Sequence, residues 1–95
     1  MDKNVGYSLI IPYYNEGESI CLTLNEYSKE LNKINSKYEI IIVDDGSRIK
    51  AKNFISGFKT KYFLIEHTKN LGYGSSISTG ISNSKYNNII ITDSD

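Results

Sequence analysis

Four short apolar runs divide the chain into regular segments. They are Ser8-Leu-Ile-Ile-Pro12, Glu39-Ile-Ile-Ile-Val-Asp44, Tyr62-Phe-Leu-Ile-Glu66 and Asn88-Ile-Ile-Ile-Thr92. Each run is continuous rather than alternating, which is typical of strands that are covered on both faces of a parallel sheet. Pro12 falls at the end of the first run, where a missing backbone N–H is tolerated. The pattern therefore predicts four parallel β-strands.

The segments between these runs carry helical patterns of decreasing strength. The first repeats apolar residues at spacings of four and three, namely Ile20, Leu24, Tyr27, Leu31 and Ile34. The second, residues 47–61, offers Ser47 as an N-cap and a weaker apolar face, which predicts a short or irregular helix. The third, residues 74–85, places Ile77 and Ile81 four apart among serines, and we expect a helix there although serines compete for backbone hydrogen bonds. The predicted order is β-α-β-α-β-α-β, an α/β fold with a Rossmann-like parallel sheet.

Composition limits the chain to one small domain without a strong overall charge. Its 95 residues include 11 basic and 11 acidic side chains, so no net field attracts nucleic acid or an anionic membrane. The single cysteine, Cys21, cannot form an internal disulfide, and we expect it to be a small, partly buried apolar residue. No apolar run approaches the roughly 18 residues of a membrane span, and the first residues lack a signal-peptide pattern. We expect a cytoplasmic protein with no nucleic-acid partner.

Three of the four predicted strands are followed by polar segments that contain carboxylates, at residues 13–17, 44–47 and 93–95. Each segment alone is ordinary turn or helix-cap chemistry. The carboxyl ends of parallel strands, however, share the edge at which such sheets bind ligands. Carboxylates gathered there repel one another, and a hard cation such as Mg²⁺ or Mn²⁺ bridging a diphosphate would relieve that repulsion. The sequence therefore predicts a metal-assisted site at this edge.

The segment Asn70-Leu-Gly-Tyr-Gly74 is glycine-rich but does not fit a dinucleotide fingerprint. It lacks the G-x-G-x-x-G spacing and follows the third strand rather than the first. We expect its glycines to allow tight turning and close packing. His67 has no neighbouring cysteine or second histidine, so a histidine in a loop or at a strand end is favoured over a metal ligand.

Four motifs, taken in order, closely resemble the N-terminal half of a family 2 glycosyltransferase with the GT-A fold. They are Ser8-Leu-Ile-Ile-Pro-Tyr-Tyr-Asn-Glu16, Glu39-Ile-Ile-Ile-Val-Asp-Asp-Gly-Ser47, Asn70-Leu-Gly-Tyr-Gly74 with Gly80, and Ile91-Thr-Asp-Ser-Asp95. The first and third look most like the branch that includes dolichyl-phosphate mannosyl- and glucosyltransferases. The resemblance implies that residues 1–95 are the nucleotide-sugar-binding half of a truncated catalytic domain.

The resemblance also implies which residues surround the nucleotide. Pro12, Tyr14 and Glu16 would line the nucleotide pocket after the first strand. Val43 and Asp45 would lie beside the base, with Asp45 accepting a hydrogen bond from the base ring.

The terminal Asp-Ser-Asp looks like the Asp-x-Asp motif of this family. The resemblance implies that the carboxylates of Asp93 and Asp95 bind the nucleotide ribose and the metal, Mg²⁺ or Mn²⁺. Ser94 would lie between them against the sugar nucleotide, while Asp44 would have a supporting role.

By the same resemblance, the expected function is the inverting, metal-dependent transfer of a sugar from a UDP- or GDP-sugar to an acceptor. The acceptor is left open among a polyprenyl phosphate, a polysaccharide and a protein. The general base is expected beyond residue 95, and the chain alone is expected to be inactive. Membrane association, at the cytoplasmic face, would come only through a C-terminal region beyond this chain.

Two other functions fit parts of the pattern. The absence of a candidate base after residue 95 favours a non-catalytic nucleotide-binding module or one piece of a split enzyme. A phosphoacceptor signalling domain also binds Mg²⁺ through an acidic pair at a strand end. That pair should follow the first strand, whereas Asp44 and Asp45 follow the second, so this function is disfavoured.

Overall fold

A computed structural model describes residues 5–94, and Asp95 lies outside them. The strands are β1 (Tyr7–Tyr13), β2 (Tyr38–Asp44), β3 (Phe63–Glu66) and β4 (Asn88–Ile91). The helices are α1 (Ser19–Asn32), α2 (Lys52–Ile55) and α3 (Tyr73–Ser82). The predicted β-α-β-α-β-α-β order is confirmed.

The four strands form one parallel sheet in the order β3-β2-β1-β4. β1 pairs with β2 along its whole length, from Tyr7 opposite Tyr38 to Tyr13 opposite Asp44. On its other side, β1 pairs with β4. The chain winds outward from β1 to β3 and then crosses back to β4, so a switch point lies between β1 and β4. Open parallel sheets bind ligands outside the carboxyl ends of the strands at such points.

The core lies mainly between the two central strands and the first two helices. Alternate residues of β1 and β2 pack with residues of α1 and α2 in one cluster that includes Leu9, Ile11, Ile20, Leu24, Ile40, Ile42 and Ile55. Because side chains alternate across a strand, Ile10 faces the opposite side, and α3 packs there. A Cβ added at Gly80 of α3 would lie 2.5 Å from Cγ2 of Ile10. The small residue at this position therefore lets α3 approach the sheet closely.

The expectation that all four strands are covered on both faces is correct for β1 and β2 and wrong for β3 and β4. Phe63 of β3 is 48% exposed and Ile91 of β4 is 44% exposed. Phe63 pairs with Ile41, and Ile91 pairs with Ile10, so both side chains lie on the α3 side of the sheet. α3 contacts β1 and β2, and the outer strands are left open on that side.

The helices agree with the predictions in number but differ in their ends. α1 ends at Asn32, so Ile34 lies beyond it. The prediction of a short second helix is confirmed, because α2 has four residues. The prediction of Ser47 as an N-cap is wrong, because α2 begins at Lys52 and the Ser47 hydroxyl instead accepts a hydrogen bond from the N–H of Asn15 at 2.9 Å. Within residues 5–94, no helix is long and apolar enough to cross a membrane.

Candidate functional site

The carboxyl edge of the sheet opens into a cavity of about 490 Å³, a volume within the range of roughly 300–1,000 Å³ that is typical of small-molecule sites. Residues that the sequence predicted form much of its lining: Pro12, Tyr14, Glu16, Asp45, Asp93 and Ser94. Tyr13, Asn70, Gly72, Tyr73 and Ser76 complete it. Val43, predicted to lie beside the base, is fully buried within β2 and is not part of the lining. Asp95 lies outside the described residues.

The loop after β1 is held by Asn15, a residue that the sequence analysis did not single out. Asn15 has a φ of 53°, a left-handed conformation that asparagine adopts more readily than most residues. Its Oδ1 accepts hydrogen bonds from the backbone N–H groups of Arg48 at 2.8 Å and Ile49 at 2.9 Å. Glu16 accepts a hydrogen bond from the N–H of Tyr14 at 2.9 Å. These contacts fix the loop that presents Tyr14 and Glu16 to the cavity.

The two aspartates after β2 have different surroundings. Asp44 is 1% exposed, and its two oxygens accept hydrogen bonds from the N–H groups of Ser47 at 3.0 Å and Ala51 at 2.9 Å. Asp44 therefore closes the turn that leads into α2. Asp45 points instead toward the glycine-rich segment that follows β3.

The carboxylate of Asp45 is surrounded by donors from this chain. Oδ1 accepts from Nδ1 of His67 at 2.8 Å and from the N–H of Leu71 at 2.8 Å. Oδ2 accepts from the N–H of Gly72 at 2.9 Å and from Nδ2 of Asn70 at 3.0 Å. Burial by itself raises the pKa of Asp45, but the hydrogen bonds from His67, Leu71 and Gly72 outweigh burial and hold the pKa below its ordinary value.

His67 lies directly after β3, at the strand end where the sequence placed it. Its side chain is 9% exposed, and Nε2 lies 2.8 Å from Oγ1 of Thr79 on α3. The imidazole therefore bridges the end of β2 and the middle of α3. No local pattern identified Thr79 as its partner, because the two residues lie on different elements.

The segment from Asn70 to Tyr73 forms one wall of the cavity and leads into α3. The prediction of tight turning is confirmed at Gly72, which has a φ of 105°. The prediction of close packing is wrong for Gly72 and Gly74, since within residues 5–94 no atom beyond the chain neighbours and the helix's own backbone lies within 4 Å of a Cβ added at either. The close approach occurs at Gly46, where an added Cβ would lie 2.5 Å from the backbone nitrogen of Asn70. A glycine after Asp45 thus lets this wall lie against the end of β2.

Two hydrogen bonds join the segment after β4 to α1. Oγ1 of Thr23, a 7% exposed side chain, donates to the carbonyl of Ser94 at 3.1 Å. Oγ1 of Thr92 lies 2.9 Å from the hydroxyl of Tyr27. The hydroxyl of Ser94 is fully buried at the cavity and has no hydrogen-bond partner among the described residues. A buried hydroxyl without a partner costs about 1–3 kcal/mol, so a group that bonded to the Ser94 hydroxyl would be stabilising.

A metal would need donors beyond those of the described residues. Within residues 5–94, no group of three or more His, Cys, Asp or Glu side chains is arranged to hold a metal ion. Asp93 is exposed at the cavity, and its predicted companion Asp95 is not described. Mg²⁺ is commonly bound by one or two carboxylates together with water and substrate phosphates. The oxygen donors at this edge fit such an ion if a phosphate ligand completes its coordination.

The parallel sheet, with a cavity at its carboxyl edge beside the switch point, defines an α/β domain. Glycosyl transferase family 2 matches residues 8–95, and the chain belongs to this family.

Two relatives illustrate the match. The human dolichyl-phosphate beta-glucosyltransferase is 31% identical over 98 residues, which cover 93% of this chain and 30% of that protein. An uncharacterized glycosyltransferase of Bacillus subtilis, YkcC, is 26% identical over 98 residues, which cover 100% of this chain and 30% of that protein. The chain thus spans about 30% of the length of these curated relatives.

Two solved structures share the fold. Staphylococcus aureus TarS aligns with a TM-score of 0.80 at 22% identity, over 96% of this chain and 28% of its own. The mannosyltransferase PcManGT from Pyrobaculum calidifontis, solved in complex with GDP-Man and Mn²⁺, aligns with a TM-score of 0.77 at 21% identity, over 94% of this chain and 27% of its own. The predicted architecture, an α/β fold with the Rossmann-like parallel sheet of a GT-A fold, is confirmed.

Proposed function

We propose that this chain is the donor-binding part of an inverting, metal-dependent glycosyltransferase that uses a UDP- or GDP-sugar. The observation that carries the proposal is the cavity at the switch point, which joins the ends of β1, β2 and β4. Ser94 lines this cavity, and its buried hydroxyl has no hydrogen-bond partner within residues 5–94. A nucleotide diphosphate has a flat base, hydroxyl groups and charged oxygens that would contact the lining of this cavity. The solved relative with GDP-Man and Mn²⁺ supports a donor of this kind.

The proposed metal site consists of Asp93 and Asp95, with Mg²⁺ or Mn²⁺ as the ion. A divalent cation held there would neutralise the charge that develops on the diphosphate leaving group. Asp93 offers an exposed carboxylate at the cavity, and Ser94 offers a hydroxyl that can bond with the donor. Tyr14 and Glu16 face the cavity from the opposite loop and would contact the nucleotide with Pro12, while Asp45 would lie on the base side.

For the acceptor, we propose a polyprenyl phosphate in preference to a polysaccharide or a protein. The names of the dolichyl-phosphate beta-glucosyltransferases among the relatives support this preference. The acceptor oxygen would attack the anomeric carbon from the face opposite the diphosphate, which inverts the configuration. The general base for that attack is proposed to lie in sequence beyond residue 95, and the site is proposed to face the cytoplasm.

A second candidate is a nucleotide-binding module that joins another chain to form a split enzyme. The exposed apolar side chains of the outer strands, Phe63, Ile89 and Ile91, favour it because such a surface is typical of an interface. Under both functions the cavity binds the same nucleotide, so the binding experiment comes first.

Titration calorimetry of this chain with UDP and GDP, with and without Mn²⁺, tests the proposal. We expect weak binding that Mn²⁺ strengthens about tenfold, since the ion offsets repulsion between phosphates and carboxylates. Asp93→Asn and Asp95→Asn should each reduce the Mn²⁺ effect while nearly preserving side-chain shape. Glu30→Gln is the matched control, because it removes a carboxylate from an exposed position of α1.

Loss of the Mn²⁺ effect in the Asp93 and Asp95 variants alone would support the proposed metal site. If both variants keep the full effect in a folded chain, the assignment of the Asp-Ser-Asp segment is wrong. If the unmodified chain binds neither nucleotide, the proposed donor site itself is wrong for this chain.

A further inference from the structure

We propose that His67 is a positioning residue for the donor cavity, acting through Asp45 on the cavity wall formed by residues 70–73. The inference rests on the proposed function in one respect, since the ligand expected in the cavity is a nucleotide diphosphate. Its structural part, the control of the wall by His67, stands on contacts within this chain.

The imidazole of His67 is held on both nitrogens. Nδ1 lies 2.8 Å from Oδ1 of Asp45, and Nε2 lies 2.8 Å from Oγ1 of Thr79. A carboxylate can only accept hydrogen bonds, so Nδ1 carries the proton that is shared with Asp45. The ring cannot turn without breaking one of these bonds, and with 9% of its side chain exposed it has little water to replace them.

Asp45 connects His67 to the cavity wall. Its two oxygens accept hydrogen bonds from the N–H groups of Leu71 and Gly72 and from the side-chain amide of Asn70. Asn70 and Gly72 line the cavity, and Gly72 holds a φ of 105° at the start of α3. Rotation of the Asp45 carboxylate would release three donors of the wall at once.

Neither His67 nor Thr79 belongs to the cavity lining. A change at His67 would therefore act on nucleotide affinity indirectly, through Asp45 and the wall. A change at Thr79 could also act through α3, which carries the lining residues Tyr73 and Ser76. This separation distinguishes a positioning role from direct contact with the ligand.

Two matched sets of variants test the proposal. His67→Asn can place an amide N–H near the position of Nδ1 and should keep the bond to Asp45. His67→Gln places its amide farther out, near Nε2, and His67→Leu has no donor, so both should lose that bond. On α3, Thr79→Ser keeps the hydroxyl and Thr79→Val removes it with little change in shape.

Amide hydrogen exchange provides a readout that needs no ligand. In His67→Leu, His67→Gln and Thr79→Val, the amides of Leu71 and Gly72 should exchange at least about tenfold faster, because a hydrogen bond to a charged group is lost or loosened. The amides of Ile40 to Val43 in β2 should keep their rates, which separates a local effect from general destabilisation. Thr79→Ser should resemble the unmodified chain. His67→Asn keeps the bond to Asp45 but not the one to Thr79, so its amides of Leu71 and Gly72 should exchange more slowly than those of His67→Leu and His67→Gln. Nitrogen-15 shifts of the imidazole should show a protonated Nδ1.

Binding of UDP and GDP in the presence of Mn²⁺ provides the second readout. His67→Leu, His67→Gln and Thr79→Val should each raise the Kd for the nucleotide about tenfold. His67→Asn should keep most of the affinity of the unmodified chain. Unchanged exchange at Leu71 and Gly72 in His67→Leu would overturn the proposal, as would unchanged affinity in a chain that binds nucleotide. If the unmodified chain binds neither nucleotide, the proposed function fails, and the exchange rates alone decide whether His67 positions the wall.

Discussion

At the scale of single residues, the site is organised by Asp45. The resemblance to the family implies that this carboxylate accepts a hydrogen bond from the nucleotide base, and that role stays a prediction. Each oxygen of Asp45 already accepts two hydrogen bonds from this chain, which fills the acceptor positions of a carboxylate. A base could contact Asp45 only by sharing or displacing one of these donors. Two of these donors are side chains. The imidazole of His67 is also held by Thr79, so the amide of Asn70, at 3.0 Å, is the donor more readily displaced without moving the backbone.

The pKa of Asp45 offers a direct measure of these contacts. Although burial raises it, the hydrogen bonds from His67 and the wall amides lower the folded-state pKa below its ordinary value. The ionised carboxylate therefore contributes stability that is fully present above the unfolded pKa, about 3.9, and is lost as pH falls through the folded value. In an NMR titration, the carboxyl carbon of Asp45 should have a midpoint below that of an unfolded aspartate.

His67→Leu should move this midpoint upward, because it removes the largest of the contributions that lower the pKa. The unmodified chain should lose free energy of unfolding as the pH falls below about 4, because Asp45 becomes protonated. The Asp45→Asn variant should lack this contribution to the loss. An Asp45 midpoint at or above the ordinary value would show that burial outweighs the hydrogen bonds in solution.

At the scale of elements, the apolar runs predicted the four strands and their order along the chain. They did not predict how much of each strand the helices cover. A continuous run such as Phe63-Leu-Ile resembles that of a fully buried strand, yet exposure depends on where the helices lie across the sheet. α3 fits closely over β1 because Gly80 lies against Ile10. This contact joins residues 70 positions apart, so no local pattern could indicate it.

Two glycines of α3 form a matched pair for testing this packing. Gly80→Ala adds a methyl group 2.5 Å from Cγ2 of Ile10, which should displace the helix or the side chain and lower the free energy of unfolding by about 1–3 kcal/mol. Gly74→Ala adds the same group where no atom lies within 4 Å, and the higher helix propensity of alanine should make it neutral or stabilising by up to about 1 kcal/mol. Urea unfolding of both variants measures the difference. Equal effects at the two positions would show that the close contact at Gly80 is relieved without cost.

At the scale of the whole molecule, the sequence predicted the fold class, the family and most of the cavity lining. The polar segments of the lining could be placed at one edge from the sequence, because parallel strands bring their carboxyl ends together. The individual lining residues came from the resemblance to the family. The residues that hold the lining in place could not be predicted from the sequence. Asn15, His67, Thr79 and Thr23 act through contacts between distant segments, and each is a residue type that is common in loops and helices for other reasons.

The extent of the chain leads to the last prediction. This chain spans about 30% of the length of its curated relatives, and its cavity is lined by the ends of one four-stranded sheet, with the outer strands β3 and β4 open on the α3 side. We propose that the groups for donor binding are present here, whereas transfer also requires an acceptor pocket and a base, which we propose lie in further sequence. We therefore expect the 95-residue chain to form no product from UDP-glucose or GDP-mannose with a polyprenyl phosphate and Mn²⁺, even under conditions in which calorimetry detects nucleotide binding. Product formation at a rate above that of the Asp93→Asn variant would show that the described cavity already contains a working acceptor side.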